Sequence, residues 1–73
     1  MTMREPAVIY GKDSCPYTRA ARDDYQARGV PVTYHDVLRD PEAMRRFLEI
    51  SGGERAVPLI VDRGRVTSGF GGS

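Results

Sequence analysis

The chain of 73 residues is long enough for one domain with a small core, because short chains bury a smaller share of their surface than long ones. Hydrophobic residues make up 40% of it and charged residues 29%, which is typical of a globular protein and unlike a disordered chain. The net charge of +1 is too small to indicate nucleic acid or a membrane surface as a partner. We therefore expect a single domain over residues 1–73.

The chain contains one cysteine, Cys15, so it forms neither a disulfide within itself nor a cysteine-rich zinc site. It has no apolar run of about 18 residues, and its first residues lack the apolar core of a signal peptide. These features predict a cytoplasmic protein that is not bound to a membrane. Any exchange chemistry at Cys15 then needs a sulfur from another molecule.

The first two predicted elements are a buried strand and an amphipathic helix. Residues 7–10 form a continuous apolar run that ends at Gly11, which is typical of a strand covered on both faces. A helix is predicted from Pro16, a favoured first residue, to about Arg28, where Gly29 follows as a stop signal. The helical residues expected to face inward are Tyr17, Ala20, Ala21 and Tyr25.

A second strand and a second helix follow. β-Branched and aromatic residues predict a strand over residues 32–37, with Pro31 confined to its start. Two strands joined by such a helix are expected to be parallel. Asp40 and Pro41 supply a capping side chain and a first-turn proline, and Gly52 ends the helix. Its inward residues are predicted to be Met44, Phe47 and Leu48, with either Ser51 or Ile50.

The last part of the chain predicts a β-hairpin. Residues 57–61 are a third apolar run, and Asp62-Arg63-Gly64 is a turn sequence before a strand over residues 65–68. The glycines of residues 69–73 permit close approach of a ligand to the backbone. The predicted order is β-α-β-α-β-β, an α/β fold with one parallel pair and one antiparallel pair of strands.

Cys15 is predicted to lie at the start of the first helix, a position that favours a thiolate. The helix N-terminus offers unpaired N–H groups and the positive end of the helix dipole. Lys12 adds a positive charge nearby, whereas Asp13 opposes it. Thr18, one helical turn later, offers a hydroxyl and an N–H to the sulfur but has no thiol to attack a disulfide. We therefore predict a reactive Cys15 that depends on an external thiol.

Three separated motifs resemble those of a glutaredoxin of the thioredoxin-fold superfamily. Cys15-Pro16-Tyr17-Thr18 resembles the active-site sequence Cys-Pro-Tyr-Cys, with threonine in place of the second cysteine. Val57-Pro58 resembles the Val-Pro pair of the family, and Gly71-Gly72-Ser73 resembles its late Gly-Gly element. The chain is also similar to a branch of small glutaredoxin-like proteins, some of which carry selenocysteine at the position of Cys15.

The resemblance implies a thioredoxin-like fold and monothiol exchange with disulfide-bearing proteins. Glutathione, or another low-molecular-weight thiol, would be the reductant, and no metal is expected. Pro58 would follow a cis peptide bond, Val57 would pair its backbone with the cysteine of glutathione, and Lys12 would meet the glycyl carboxylate. The catalytic residues are then Cys15, Thr18 and Lys12, and the implied glutathione-binding residues are Lys12, Tyr17, Val57, Pro58, Gly71, Gly72 and Ser73.

Two departures from the family pattern leave other functions open. Glutaredoxins continue after the Gly-Gly element into a final helix that is missing here, so the sheet face beneath it is expected to be exposed or covered in a homodimer. The motif at Cys15 also differs from the Cys-Gly-Phe-Ser of the monothiol glutaredoxins that bind iron–sulfur clusters. The alternatives are a homodimeric scaffold or carrier for a glutathione-ligated 2Fe–2S cluster, and a thiol-based peroxide sensor.

Overall fold

A computed structural model describes residues 5–71, which form four strands and two helices in the predicted order. The elements are β1 (Ala7–Gly11), α1 (Pro16–Ala27), β2 (Val32–Asp36), α2 (Pro41–Ser51), β3 (Leu59–Asp62) and β4 (Arg65–Ser68). Neither helix in the described range has the length and apolar character needed to cross a bilayer. Gly72 and Ser73, which belong to the predicted glutathione site, lie outside the described residues.

The four strands form one mixed sheet in the order β2-β1-β3-β4. β1 and β2 are parallel, with Ala7 opposite Val32 and Gly11 opposite Asp36. β3 is antiparallel to both β1 and β4, so the predicted parallel pair and hairpin are confirmed. β2 ends at Asp36 rather than at the predicted Val37, because the Asp36 carboxylate accepts the N–H two residues later at 2.9 Å and starts a turn. The ends of β1 and β2 and the start of β3 therefore share one edge of the sheet.

Each face of the sheet is covered by one helix. The core on the α1 side contains Ala7, Ile9, Ala21, Tyr25 and Ile60. The core on the α2 side contains Tyr10, Val37, Ala43, Phe47 and Leu59. Alternate residues of β1 therefore face opposite helices, which confirms that this strand is buried on both sides.

The inward face of α1 differs from the predicted one. Thr18, Ala21 and Tyr25 are its buried residues, whereas Tyr17 is 41% exposed and Ala20 is also exposed. The buried residues are three and four positions apart and so lie along one side of the helix. The prediction for Tyr17 and Ala20 was wrong because it relied on apolar character, which Thr18 lacks.

The start of α2 is capped as predicted. The Asp40 side chain accepts the N–H of Glu42 at 3.0 Å and that of Ala43 at 3.3 Å. Gly52, in the left-handed conformation with φ of 71°, ends the helix. The inward face is formed by the buried residues Ala43 and Phe47, with Met44 and Leu48 packed beside them. Of the two alternatives near the end, Ser51 is half-buried and Ile50 is 41% exposed.

The predicted hairpin is present, although β3 begins later than expected. Arg63 and Gly64 have φ values of 52° and 78°, which is the left-handed geometry of a two-residue hairpin turn. β3 begins at Leu59 rather than at Val57, because Pro58 has no N–H to donate to the strand ladder. The peptide bond between Val57 and Pro58 is cis, as the resemblance implied.

Replacing the cap of α2 tests how far its stability depends on this one side chain. Asp40→Ala is expected to lower the free energy of unfolding by about 1 kcal/mol, since two N–H groups lose their acceptor. Urea unfolding measures the change. Asp40→Asn keeps an oxygen acceptor and is the control, which is expected to lose much less. Equal losses in the two variants would contradict the assignment of the cap.

Candidate active site

The predicted site residues converge on the sheet edge at which β1 ends. Cys15 follows β1 after a short loop and precedes α1. Because β3 is antiparallel to β1, Val57 and Pro58 come directly before the start of β3 at the same edge. The N–H of Gly69 donates to the carbonyl of Pro58 at 2.8 Å and brings the described part of the glycine-rich end there too. Three distant parts of the sequence thus meet at the loop of residues 12–15, which joins β1 to α1 and is called the cysteine loop below.

Cys15 is the N-cap residue of α1, and its side chain is 9% exposed. Its N–H donates to the carbonyl of Lys12 at 3.0 Å, which closes the loop between them. Burial raises the pKa of the thiol, whereas interactions with the Thr18 hydroxyl and with the N–H groups of Thr18 and Tyr17 lower it. The positive charge of Lys12 adds to this effect, so the pKa of Cys15 is below its ordinary value. Cys15 is therefore suited to react as a thiolate.

Thr18 is fully buried beneath the cysteine loop. Its hydroxyl oxygen has no hydrogen-bond partner within residues 5–71. The group on which it acts is the Cys15 sulfur, whose pKa it lowers. A buried hydroxyl without an acceptor carries a free-energy cost, and ionisation of the thiol provides that acceptor. Thr18 is thus a buried residue of α1 that affects the Cys15 thiol, rather than a residue of the helix surface.

Asp13, which was expected to oppose the thiolate, is turned towards other groups. Its carboxylate accepts the hydroxyl of Tyr34 at 2.8 Å and lies 4.0 Å from the guanidinium of Arg22 and 3.8 Å from that of Arg39. Its N–H donates to the carboxylate of Asp36 at 3.3 Å. These contacts direct the negative charge towards two arginines and tie the cysteine loop to the end of β2.

The remaining predicted ligands lie around the cysteine in different settings. Lys12 is half-buried on the loop, and Tyr17 is exposed on the first turn of α1. Val57 is half-buried and lies outside the ladder of β3, whereas Pro58 is fully buried. Gly71 is exposed and has φ of 63°, a left-handed conformation that suits glycine. The structure therefore leaves the Val57 backbone outside the sheet at the predicted site.

The sequence model of the glutaredoxin family matches residues 7–66. The chain belongs to the glutaredoxin family. This membership supports a function of the thiol-disulfide oxidoreductase type, and glutathione is the general co-substrate of glutaredoxins. No curated protein matches the sequence significantly.

Solved structures show that this glutaredoxin has the thioredoxin-like fold. A glutaredoxin from Archaeoglobus fulgidus matches with a TM-score of 0.76 and 22% identity over 94% of this chain and 78% of its own. A single-residue variant of a thioredoxin-like protein matches with a TM-score of 0.80 and 25% identity over 89% and 86% of the two chains. Wheat glutaredoxin matches with a TM-score of 0.72 and 19% identity, over 89% of this chain and 64% of its own.

The contacts that hold the cysteine loop of this glutaredoxin to β2 were not predicted from the sequence. The guanidinium of Arg22 lies 3.9 Å from the ring centroid of Tyr34. Burial and the neighbouring Asp13 raise the pKa of Tyr34 above its ordinary value, so the hydroxyl that donates to Asp13 is held more firmly in its protonated form. Burial raises the pKa of Asp36, but backbone N–H groups and the charge of Arg39 together lower it below its ordinary value. The sequence does carry one indication of these contacts, because Asp36 ends a strand predicted to be parallel to β1 and so lies near the loop that follows β1.

Residues 5–71 contain no group of three or more histidine, cysteine, aspartate or glutamate side chains placed to hold a metal ion. The expectation that the protein works without a metal stays a prediction. A 2Fe–2S cluster held by one cysteine per chain would need further ligands from glutathione and a second chain.

The pH dependence of Cys15 reactivity tests the charge of Lys12. The rate of alkylation is expected to rise as the pH rises through the lowered pKa of the thiol and to level off above it, since only the thiolate reacts. Lys12→Ala is expected to move this profile to higher pH, because it removes a positive charge that favours the thiolate. Iodoacetamide kinetics across pH measure the profile.

Arg65→Ala is the matched control for Lys12→Ala. Arg65 is an exposed residue that pairs with Asp62 at the other end of the sheet, so its loss changes the net charge by the same amount at a distance. The control is expected to leave the profile in place. An equal shift in both variants would show that net charge, rather than the position of Lys12, sets the thiol pKa.

Proposed function

We propose that this glutaredoxin is a monothiol, glutathione-dependent thiol-disulfide oxidoreductase with Cys15 as its nucleophile. The observation that carries the proposal is the setting of the single cysteine at the N-cap of α1. There its pKa is lowered, against the effect of burial, by the Thr18 hydroxyl, two N–H groups and Lys12. A thiolate in such a setting is suited to attack a disulfide at neutral pH.

The proposed reaction has two exchange steps. The Cys15 thiolate first attacks the glutathionyl sulfur of a mixed disulfide, the old S–S bond breaks, and the substrate leaves as its thiolate, which takes up a proton. A second glutathione thiolate then attacks the glutathionyl sulfur on Cys15. This step restores the Cys15 thiolate and releases glutathione disulfide. Over the whole cycle the sulfur of the second glutathione is oxidised and the substrate sulfur is reduced.

Thr18 is the residue that makes the cycle a monothiol one. It occupies the position of the second cysteine in the family motif, and a hydroxyl does not displace glutathione from Cys15. The described residues contain Cys15 as their one cysteine, so a resolving thiol comes from another molecule. Disulfide-bearing proteins are the proposed substrates, and glutathione is the proposed source of that thiol.

The proposed glutathione site extends from the cysteine along the same edge of the sheet. Val57 lies outside the β3 ladder, which supports backbone pairing with the cysteine of glutathione. Lys12 provides a positive charge for the glycyl carboxylate, and the exposed Tyr17 provides a surface beside it. Gly71, with Gly72 and Ser73 beyond the described residues, is proposed to meet the γ-glutamyl end.

Turnover of a small glutathione mixed disulfide tests the proposed function. We expect Cys15→Ser to abolish glutathione-dependent turnover and to prevent the mass increase of one glutathionyl group that the wild-type protein shows. Arg65→Ala, at the far end of the sheet, is the control and is expected to keep both. Replacing glutathione by cysteine as the reductant is expected to slow the second step severalfold.

Turnover by the Cys15→Ser variant would contradict the proposal. Visible cluster absorbance in a dimer after anaerobic reconstitution, together with a lack of turnover, would favour the iron–sulfur scaffold. Faster reaction of Cys15 with hydrogen peroxide than with the mixed disulfide would favour the peroxide sensor.

A further inference from the structure

Gly11, the last residue of β1, packs directly against Thr18 of α1. A Cβ atom added to Gly11 would lie 2.4 Å from Thr18 Cγ2 and 2.6 Å from Thr18 Oγ1, which is closer than non-bonded atoms approach. The φ angle of Gly11 is outside the left-handed region, unlike that of Gly29 or Gly52, so the backbone conformation does not require glycine here. The residue that requires glycine at position 11 is therefore Thr18.

We propose that Gly11 is a positioning residue of the redox site, because its missing side chain leaves the space that holds the Thr18 hydroxyl beside the Cys15 sulfur. Both branches of the Thr18 side chain lie within 3 Å of the place that a Cβ atom would take. A side chain at position 11 therefore displaces the hydroxyl together with the methyl group. Threonine is stiff about its first side-chain torsion, so the displaced hydroxyl has few other orientations.

The need for space does not by itself explain a threonine at this position. Valine has nearly the shape of threonine and would fill the same buried space without a polar atom. The Thr18 hydroxyl is fully buried and has no hydrogen-bond partner in the described part of the chain, which is a cost that a packing residue would avoid. Cys15, three residues earlier at the N-cap, lies on the same side of α1 as Thr18, and interaction with Thr18 lowers the pKa of its thiol. Gly11 thus acts on the sulfur through Thr18.

The charged residues of the cysteine loop, Lys12 and Asp13, are the same in all variants of the proposed test. Lys12 lies on the cysteine loop and lowers the pKa of Cys15. Asp13, on the same loop, faces Arg22 and Arg39. The effect on turnover rests on the proposed function, whereas the position of the hydroxyl is tested by thiol titration alone.

Titration of the Cys15 thiolate by its ultraviolet absorbance tests the proposal in five variants of the full chain. Thr18→Val and Thr18→Ala are expected to raise the thiol pKa by removing the hydroxyl. Gly11→Ala is expected to raise it although the hydroxyl is still present. The double variant Gly11→Ala/Thr18→Ala is expected to have the pKa of Thr18→Ala, since there is no longer a hydroxyl to displace. Thr67→Ala, an exposed threonine of β4, is the control and is expected to leave the pKa unchanged.

Urea unfolding of the same variants separates position from stability. Gly11→Ala is expected to be destabilised by its contact with Thr18, and the double variant is expected to recover stability relative to Gly11→Ala while keeping the raised pKa. If Gly11 had only a structural role, the thiol pKa and the free energy of unfolding would change together across the variants.

Three outcomes would overturn the proposal. The first is a wild-type pKa in Gly11→Ala when Thr18→Val raises it. The second is a pKa in the double variant that rises by the sum of the two single shifts. The third is failure of both Gly11→Ala and the double variant to fold, because Gly11 would then be needed for something other than Thr18. If only the single variant fails to fold, a double variant that matches Thr18→Ala supports the proposal. The expected titrations without glutathione-dependent turnover would contradict the proposed function alone.

Discussion

The structure depends on the close approach of α1 to β1. On the side of β1 that faces α1 the residues are Ala7, Ile9 and Gly11, and the buried residues of the helix are Thr18, Ala21 and Tyr25. α1 runs antiparallel to β1. The small strand residues Ala7 and Gly11 therefore lie at the two ends of this contact, and the small helix residue Ala21 lies in its middle. Such alternation of small and large side chains lets a short helix lie near the strand and fill the core without voids.

This contact has a direct consequence for the chemistry. A short loop joins Gly11 to Pro16, so the distance between strand and helix sets where Cys15 lies above the sheet. Close packing at Gly11 and Thr18 holds the start of α1 against the end of β1. Because Cys15 is the N-cap of this helix, the same packing fixes the place of the sulfur and of the N–H groups that lower its pKa. The other parts of the site reach the same edge through the strand order, which places the start of β3 beside the end of β1. Core packing and thiol reactivity are thus determined by the same few residues.

The sequence predicted the element order because its signals are local. Asp40 and Pro41 mark the start of α2 within two residues, and its caps are those observed. The inward position of Thr18 depends on a glycine seven residues earlier that belongs to another element, and hydrophobic periodicity does not register such a pair. The sequence predicts that Gly11 stops the first strand after Tyr10, whereas Gly11 is the last residue of β1. The link between Asp13 and Tyr34 depends on the register of two parallel strands, which apolar patterns leave open.

The absence of a second thiol changes what a lowered pKa contributes in the proposed cycle. At neutral pH the hydrogen bonds from Thr18 and its neighbours increase the fraction of thiolate, although a thiolate of lower pKa is also a weaker nucleophile. When glutathione attacks the mixed disulfide, Cys15 is the leaving group, and a lower pKa makes it leave faster. A dithiol protein gains speed in this step from a neighbouring cysteine, whereas here the position holds Thr18. The hydroxyl that cannot resolve the disulfide therefore assists its resolution by stabilising the departing sulfur.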